Sequence, residues 1–227
     1  MTSSFLILIP PSEGKMTGGQ HPPLKQLDKQ AAILYERLMA CKVDLASFYG
    51  VKGKALQAAV SANEHLLTSP TMPAIERYSG VVYDGIDYPT LSNHAKKYLH
   101  THVRIVSALF GLIKPLDRIP DYKLKIEKLE AAKYWQPIIA AQLKDYFILD
   151  LLPQAHQKAV QYTQGQAVDF IYLKKGRLMP AGHQGKLIKG KLIRWLCENQ
   201  ISSFDQLSGF KEDGYCFDGR VFVKKTL

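Results

Sequence analysis

The amino-acid sequence predicts an α+β fold, in which a single compact mixed domain covers residues 1–227. Short apolar runs of strand length are interspersed irregularly with segments of helical spacing, a mixture that is typical of α+β proteins. A chain of 227 residues can bury a substantial core, and 46% hydrophobic with 22% charged residues is ordinary for a globular protein. We find no internal repeat, low-complexity tract or linker, so one domain is the simplest prediction.

The predicted elements follow from apolar spacing along the chain. Helical spacing is clear where Leu27, Ala31 and Leu34 recur on one face. The predicted helices cover residues 24–41, 54–67, 131–146 and 185–198. The predicted strands cover residues 5–9, 80–83, 103–110, 147–152, 168–173 and 221–224. Glycine and proline mark residues 12–23 as a loop and residues 111–122 as irregular, and Asp84-Gly85 predicts a turn after the second strand.

The charge balance gives the first indication of function. Thirty Lys and Arg residues against twenty Asp and Glu residues leave a formal net charge of +10. A surplus of this size attracts phosphate backbones, anionic membranes or acidic ligands. Composition alone therefore favours a nucleic-acid partner without excluding the other two.

Cysteine use and hydropathy predict a cytoplasmic location. Cys41, Cys197 and Cys216 are far apart and form no CxxC pair, so reduced thiols are a simpler interpretation than a disulfide framework or a zinc knuckle. The apolar part of residues 1–10 is too short for a signal peptide and lacks a basic start. No apolar run approaches the ~20 residues of a membrane span, so we expect no membrane association.

The loop after the first strand holds Ser12, Glu13, Gly14 and Lys15. A Gly-Lys pair after a strand suggests a phosphate-binding P-loop, but the spacing excludes one, because Ile9 stands where that loop needs glycine. A hydroxyl, a carboxylate and an ammonium group remain on one strand-end loop. They predict either a polar ligand site, with Glu13 and Lys15 as candidate catalytic residues, or an ordinary solvated loop.

Gly50, Lys52, Gly53 and Lys54 lie between two predicted helices. In a helix-hairpin-helix, glycines of this kind expose backbone N–H groups to a DNA phosphate, and the next helix adds its partial positive charge. The spacing is one residue away from the common pattern. A plain turn between helices with a glycine cap is an equal alternative.

The segment after the strand at residues 103–110 combines apolar residues with charge. Gly111 allows close backbone approach, Lys114, Arg118 and Lys123 add positive charge, and Tyr122 supplies a ring that can stack on a base. The alternative is that the apolar residues of this segment are simply core.

The last predicted helix gives the strongest indication of a basic surface. Residues 186–194 contain four basic residues and no acidic one: Lys186, Lys189, Lys191 and Arg194. Gly190 costs a helix up to ~1 kcal/mol, which close approach of a phosphate would offset. A solvated lysine face is the alternative.

His94, His100 and His102 precede the strand that starts at Val103. A His-x-His pair on a strand points to one side and can bind a metal. No carboxylate partner is evident, so we predict no metal site and a polar role for these residues.

Several of these segments together resemble the YaaA family of peroxide-stress proteins. The matching segments occur in family order: residues 6–15 with Pro-Pro-Ser-Glu-Gly-Lys, 78–85, 107–117, 121–124, the helix with Lys189, Gly190 and Arg194, and 207–217. The resemblance implies a compact α+β fold with a basic cleft and a helix-hairpin-helix-like element, similar in part to DNA glycosylases. It further implies DNA binding, survival of peroxide stress and lowered free iron, with no reaction that can be carried over.

The sequence departs from the family pattern in one segment. Family members commonly carry Asn-Leu-x-Ser-x-Glu-Tyr where this chain has Asp150-Leu-Leu-Pro153-Gln-Ala155-His156. The serine and the glutamate are missing, so any role that needs them is in doubt for this protein.

The first hypothesis is therefore a DNA-binding protein of the peroxide response. Its expected partner is duplex or distorted DNA, with no cofactor and no evident protein partner. The expected nucleic-acid contacts are Ser12, Lys15, Gly50, Gly53, Lys54, Lys114, Tyr122, Lys123, Lys186, Lys189, Lys191 and Arg194. The second hypothesis is a glycosylase- or lyase-like enzyme acting on DNA or nucleotides through Glu13 and Lys15. The third is an iron- or metal-handling protein.

Overall fold

The apolar run near the N-terminus forms the central strand of a sheet in the computed structural model, which describes residues 4–174 and 177–225. Five of the six residues of this strand are buried. They lie in one core cluster with the apolar faces of the surrounding helices. The predicted extent of the domain, residues 1–227, includes residues 1–3, 175–176 and 226–227, which lie outside the described part, and that extent stays a prediction.

The strands are short and belong to three sheets. In chain order they are β1 (Ser4–Ile9), β2 (Met72–Pro73), β3 (Val103–Ser107), β4 (Gly111–Ile113), β5 (Arg118–Ile119), β6 (Tyr146–Asp150), β7 (Gly165–Ala167), β8 (Phe170–Lys174), β9 (Arg177–Pro180), β10 (Lys211–Glu212), β11 (Tyr215–Phe217) and β12 (Phe222–Lys225). The main sheet has the order β4-β3-β1-β6-β7, and β1 is parallel to both β3 and β6. The second sheet has the order β10-β11-β12-β8-β9, and β2 pairs with β5.

The helices connect and cover these strands. They are α1 (Lys29–Met39), α2 (Leu45–Tyr49), α3 (Gly53–Glu64), α4 (Ala74–Arg77), α5 (Val81–Ile86), α6 (Asn93–His102), α7 (Ala131–Leu143), α8 (Gln154–Gln157) and α9 (Gly182–Glu198). The α+β class is confirmed. Within the described ranges, no helix combines the length and the apolar character needed to cross a bilayer.

The start of α1 follows local capping rather than the first apolar residue. The predicted first helix begins at residue 24, but α1 begins at Lys29, because the Asp28 carboxylate accepts hydrogen bonds from the backbone N–H groups of Gln30 and Ala31. An aspartate at this position satisfies N–H groups that have no partner inside the helix.

The prediction of a strand at residues 80–83, with a turn at Asp84-Gly85, is wrong. Residues 81–86 form α5, which packs across α9. A Cβ atom added to Gly85 would lie 2.9 Å from the Cα atom of Gly190. Glycine at both positions therefore allows the two helix backbones to touch, and this contact holds the segment as a helix.

Candidate functional site

The parallel strands β1, β3 and β6 all end at one edge of the main sheet. Because parallel strands place their carboxyl ends together, the loops that follow them converge there, as ligand sites of open α/β sheets do. A cavity of about 590 Å³ lies at this edge, between the Pro10–Glu13 loop, the start of α5, residues 153–156 and α9. A smaller cavity of about 90 Å³ shares Ser12, Glu13 and His156 with it. We call these two cavities together the cleft.

A further cavity of about 240 Å³ adjoins the cleft on the side of α3. Glu13 and Lys15 line it together with apolar residues of α3, among them Ala55 and Ala59. The strand-end loop therefore stands between the cleft and the second helix of the predicted hairpin. We call this space the side cavity.

Lys15 is the amine at the junction of the cleft and the side cavity. Its Nζ donates a hydrogen bond to the carbonyl oxygen of Ser12 at 3.2 Å and stands over the Tyr122 ring, 4.2 Å from its centre. Burial lowers the pKa of Lys15 to about 7, with Asp121 opposing the shift and Lys123 adding to it. A substantial share of this amine is therefore uncharged at neutral pH.

Tyr122 lies beneath Lys15 and is fully buried, at 2% exposed. Its hydroxyl forms hydrogen bonds of 2.8 Å with both the Tyr78 hydroxyl and Ser107 Oγ. The prediction that this ring stacks on a base is therefore wrong for the ring as it stands here. Tyr122 is a fixed support for the lysine.

Glu13 faces two lysines at the rim of the cleft. Its carboxylate lies 3.2 Å from Lys125 Nζ and 3.6 Å from Lys123 Nζ. Partial burial alone would raise its pKa, but the hydrogen bond and the charge of Lys125, followed by those of Lys123, outweigh burial and lower the pKa. Glu13 is thus held as a carboxylate, which makes it a weak general base.

Lys189 and Lys186 reach the cleft from the first half of α9. Lys189 is 8% exposed, and its Nζ donates to the Leu151 carbonyl oxygen at 2.7 Å and lies 3.9 Å from an Asp169 carboxylate oxygen. Burial lowers its pKa, against the pull of Asp169 and Asp150. Lys186 is exposed and makes no ion pair within the described ranges.

The second half of α9 serves packing and lies away from the cleft. Arg194 donates to the carbonyl oxygens of Ile86 and Asp87 at 3.1 Å, and Lys191 pairs with Glu212. Neither residue lines the two cavities of the cleft, because these side chains hold the end of α5 and the second sheet, and their contact with DNA stays a prediction. The interpretation of Gly190 as a point of phosphate approach is wrong, because α5 fills that space.

The residues of the predicted hairpin form two short helices joined by residues 50–52. Gly50 ends α2 with φ of 69°, and Gly53 begins α3 with φ of 56° and no neighbouring atom near its absent Cβ. Lys54 is exposed. This geometry leaves the Gly53 backbone open, and its contact with DNA stays a prediction.

Lys114 and Gly111 lie apart from the cleft. The Lys114 backbone N–H donates to the Asp117 carboxylate at 2.8 Å in the turn between β4 and β5, and its side chain is exposed. A Cβ atom on Gly111 would lie 2.5 Å from the Trp135 ring, so this glycine makes room for a tryptophan, contrary to the predicted backbone approach. A Lys114 contact with DNA is untested.

The three histidines lie on α6 rather than on a strand, which corrects the predicted His-x-His geometry. Tyr88 bonds His100 Nε2 at 2.9 Å, His102 Nδ1 lies 3.1 Å from the Tyr98 carbonyl oxygen, and His94 lies beside Gln200. Among the residues that the structure describes, no group of three or more His, Cys, Asp or Glu side chains is placed to hold a metal.

Three residues of the cleft wall were not predicted from the sequence. His156 lines both cavities, and its Nδ1 is buried without a hydrogen-bond partner. Burial lowers its pKa to about 4. Glu127 and Lys125 line the smaller cavity beside it. Alternation along residues 121–127 could have indicated Lys125, which lies two residues after Lys123, but no local pattern places His156 here.

The departure at residues 150–156 lies in the cleft wall. Pro153 and Ala155 line the larger cavity and give its wall an apolar part. The missing hydroxyl and carboxylate are therefore missing from the site itself.

Comparison with known proteins identifies the family. The sequence model described as "Peroxide stress protein YaaA" matches residues 5–220. A "UPF0246 protein" of Francisella tularensis subsp. novicida is 32% identical over 162 residues, which are 64% of each chain. A "UPF0246 protein" of Finegoldia magna is 24% identical over 193 residues, 81% of this chain and 79% of that one. The matched part thus spans just under two thirds of the Francisella relative.

Proposed function

Because this chain belongs to the YaaA family of peroxide stress proteins, we propose that its part in that response is to bind DNA, with a stretch of sugar-phosphate backbone held in the cleft. Bound DNA is then shielded from peroxide and iron chemistry along the covered stretch. The partner is duplex or distorted DNA, bound without strong sequence preference.

The charge of the cleft wall carries this proposal. Five lysines line the two cavities, and two glutamates face them. The lysines are Lys15, Lys123, Lys125, Lys186 and Lys189, and the glutamates are Glu13 and Glu127. A concave surface with an excess of positive charge attracts anions, and phosphate oxygens are anions that lysine amines bind as point charges.

The arrangement of the lysines suits a backbone rather than a base. Lys186 is free of ion pairs within the described ranges, and the pair Lys123 and Lys125 retains one positive charge beyond that of Glu13. Lysines on two walls of one cleft contact successive phosphates without reading base edges. Weak sequence preference follows.

Helix α3 supports the same proposal from the side cavity. Its N-terminus begins at Gly53, where the backbone is open, and Lys54 is exposed next to it. Backbone N–H groups at a helix start favour an anion. A duplex that enters the cleft past Lys15 meets this end of α3 as its next positive surface.

A charge reversal within the cleft tests the proposal. Lys186→Glu places a carboxylate where we expect a phosphate, so affinity for a short labelled duplex should fall about tenfold or more, equivalent to ~1.4 kcal/mol. Lys97→Glu is the matched control, because it makes the same change in net charge at an exposed position of α6 away from the cleft. Fluorescence anisotropy at one fixed salt concentration measures both.

Equal losses of affinity in the two variants would show that net charge, and not the cleft, holds the DNA. Unchanged affinity in Lys186→Glu would contradict the proposal that DNA binds in the cleft. The same pair of variants links binding to physiology: in a bacterium that lacks its own family member, Lys97→Glu should restore survival of peroxide and Lys186→Glu should not.

A further inference from the structure

The Lys15 amine is set up differently from the other lysines of the cleft. Its Nζ has one hydrogen-bond acceptor, the Ser12 carbonyl oxygen, and no carboxylate oxygen of the described residues lies within 4.0 Å of it. Glu13, its neighbour in sequence, is engaged by Lys123 and Lys125 instead. The amine therefore lies near the charged groups of Glu13, Lys123 and Asp121 but forms no ion pair with the carboxylates of the described residues.

An aromatic support holds this amine in place. Nζ lies 4.2 Å from the centre of the Tyr122 ring and 5.4 Å from that of Tyr78. The two hydroxyls are bonded to each other, and Ser107 Oγ fixes Tyr122 from below. A buried surface that cannot move restricts the lysine to few positions, which leaves its nitrogen aligned for reaction at the cleft.

The amine is also in the right protonation state to react. Burial, aided by the positive charges of Lys123 and Arg77, brings the pKa of Lys15 to about 7 against the opposing charge of Asp121 and Glu13. An amine needs its lone pair to attack a carbonyl carbon, and lysines desolvated beside other cations are activated in this way. Lys15 meets both conditions.

A buried imidazole nitrogen belongs to the same cavity. His156 Nδ1 has no hydrogen-bond partner among the described residues, and His156 and Lys15 both line the 90 Å³ cavity. A neutral imidazole in such a position can bond to a hydroxyl or carbonyl oxygen of a ligand. The cavity thus offers a nucleophile, an oxygen-binding group and lysines for an anion.

We propose that Lys15 forms a reversible Schiff base with a carbonyl ligand that also carries a phosphate. The neutral amine attacks the carbonyl carbon, a C–N bond forms and a proton passes from nitrogen to oxygen. The hydroxyl of this adduct takes up a proton from solvent, the C–O bond breaks and water leaves, so that a protonated imine remains. Addition of water and release of the proton to solvent reverse the sequence. The inference rests on the proposed role of the cleft in holding a phosphate.

Two sources supply this ligand chemistry. A free sugar phosphate carries an aldehyde and a phosphate, and so does the opened sugar of an abasic site in DNA. Both present a carbonyl a few bonds from a phosphate, which fits a cavity that Lys15 lines together with Lys123 and Lys125.

Reductive trapping tests the proposal on the whole chain. The protein is incubated with ribose 5-phosphate and cyanoborohydride, which reduces an imine to a stable secondary amine. Intact mass and peptide mapping then locate the adduct. We expect one adduct, at Lys15, formed about tenfold faster than with ribose, because the phosphate raises the effective concentration of the aldehyde at the amine. Lys15→Arg should lose it, and Lys97→Arg should keep it.

Labelling spread over surface lysines, or an unchanged adduct in Lys15→Arg, would overturn the proposal. Peptide mapping of the adduct on the natural chain still locates the modified lysine if a variant fails to fold. A second arm uses a duplex with one abasic site: a covalent complex there identifies DNA as the source, and an adduct with ribose 5-phosphate alone identifies a free sugar phosphate. No adduct in either arm rejects the Schiff base, while anisotropy on intact DNA without reductant still decides the proposed function separately.

Discussion

Asp150 ends strand β6 under the cleft, and 1% of its surface is exposed. Burial raises the pKa of this carboxyl to about 6, although the Leu152 N–H, the Tyr162 hydroxyl and the charge of Lys189 all pull it down. The charge of Asp169 adds to the rise. The carboxyl therefore binds a proton more tightly in the folded chain than in the unfolded chain.

This shift predicts a pH dependence of stability. Because the folded-state pKa is raised, the contribution of Asp150 is complete below pH 4 and is lost as pH rises through about 6. Asp150→Asn removes the titration and keeps an oxygen that accepts from the Leu152 N–H. The free energy of unfolding of Asp150→Asn relative to the natural chain should therefore rise between pH 4 and pH 7, by on the order of 2 kcal/mol.

Urea denaturation across this pH range measures the difference. The gain in Asp150→Asn should be smaller than the whole pKa shift of Asp150 would give. The reason is that the substitution also removes one of the two carboxylates, Asp150 and Asp169, that attract Lys189. Asp145→Asn, at an exposed position just before β6, makes the same change of side chain and is the comparison variant. A difference that stays flat from pH 4 to pH 7 would contradict the raised pKa.

Individual site residues could be predicted from sequence where their place follows from a single strand. Ser12, Glu13 and Lys15 reach the cleft because β1 ends just before them, and the apolar run of β1 is evident in the sequence. Tyr122 and Arg194 could not be placed, because their burial depends on partners far away in the chain. A tyrosine next to lysines has the same local pattern whether it stacks on a base or supports a lysine from below.

The crossing of α5 over α9 is the contact that most shapes the basic helix. A Cβ atom on Gly190 would lie 2.2 Å from the Val82 carbonyl oxygen and 2.8 Å from the Gly85 Cα atom. Neither of these atoms belongs to a flexible side chain that could give way. The glycine lowers the helix propensity of α9, and the close packing of the two helices offsets that cost.

This crossing predicts that Gly190→Ala is destabilising in spite of the better helix propensity of alanine. Backbone atoms of α5 must move, so the free energy of unfolding should fall by about 3 kcal/mol, the upper end of the range for overpacked cores. Gly53→Ala is the matched control, because its φ of 56° strains alanine while no atom crowds the new methyl group. It should cost only about 1 kcal/mol.

Urea denaturation at neutral pH compares the two glycine variants. If Gly190→Ala were as stable as the natural chain, α5 and α9 would not be in backbone contact. A larger loss in Gly53→Ala than in Gly190→Ala would likewise reverse the order that the geometry requires.

The same crossing explains why the sequence mispredicts the type of α5. Val81, Val82 and Tyr83 favour a strand by composition, and Asp84-Gly85 suggests a turn. The segment is a helix because Gly85 must meet Gly190, a contact more than one hundred residues away in the chain. Long apolar or well-spaced segments such as β1 and α7 were predictable, since their patterns do not depend on such a partner.

The formal charge of +10 is distributed unevenly over the molecule. Lys191, Arg194 and Lys224 are engaged by carboxylates outside the cleft, so they contribute little to a partner. The cleft holds five lysines and two glutamates on its walls. Sequence composition predicts an anionic partner, but it does not distinguish charge that is engaged inside the fold from charge that is offered to a ligand.

Salt dependence separates these two kinds of charge. Each phosphate neutralised on duplex DNA releases counterions, and the logarithm of the binding constant falls with the logarithm of salt concentration with a slope of about −0.9 per contact. If the cleft lysines make the contacts, we expect about three to five of them and a slope of roughly −2.7 to −4.5. Lys186→Glu should bring the slope about one unit closer to zero, and Lys97→Glu should leave it unchanged.

Anisotropy titrations of one duplex at several salt concentrations give the three slopes. A slope near zero would show that contacts to phosphates do not contribute to binding. A slope of about −9 would mean that some ten phosphates are contacted, which requires the whole basic surface and not the cleft. The slope thus tells whether the molecule binds DNA through its total charge, as composition alone would suggest, or through the five lysines that line the cleft at the carboxyl edge of the main sheet.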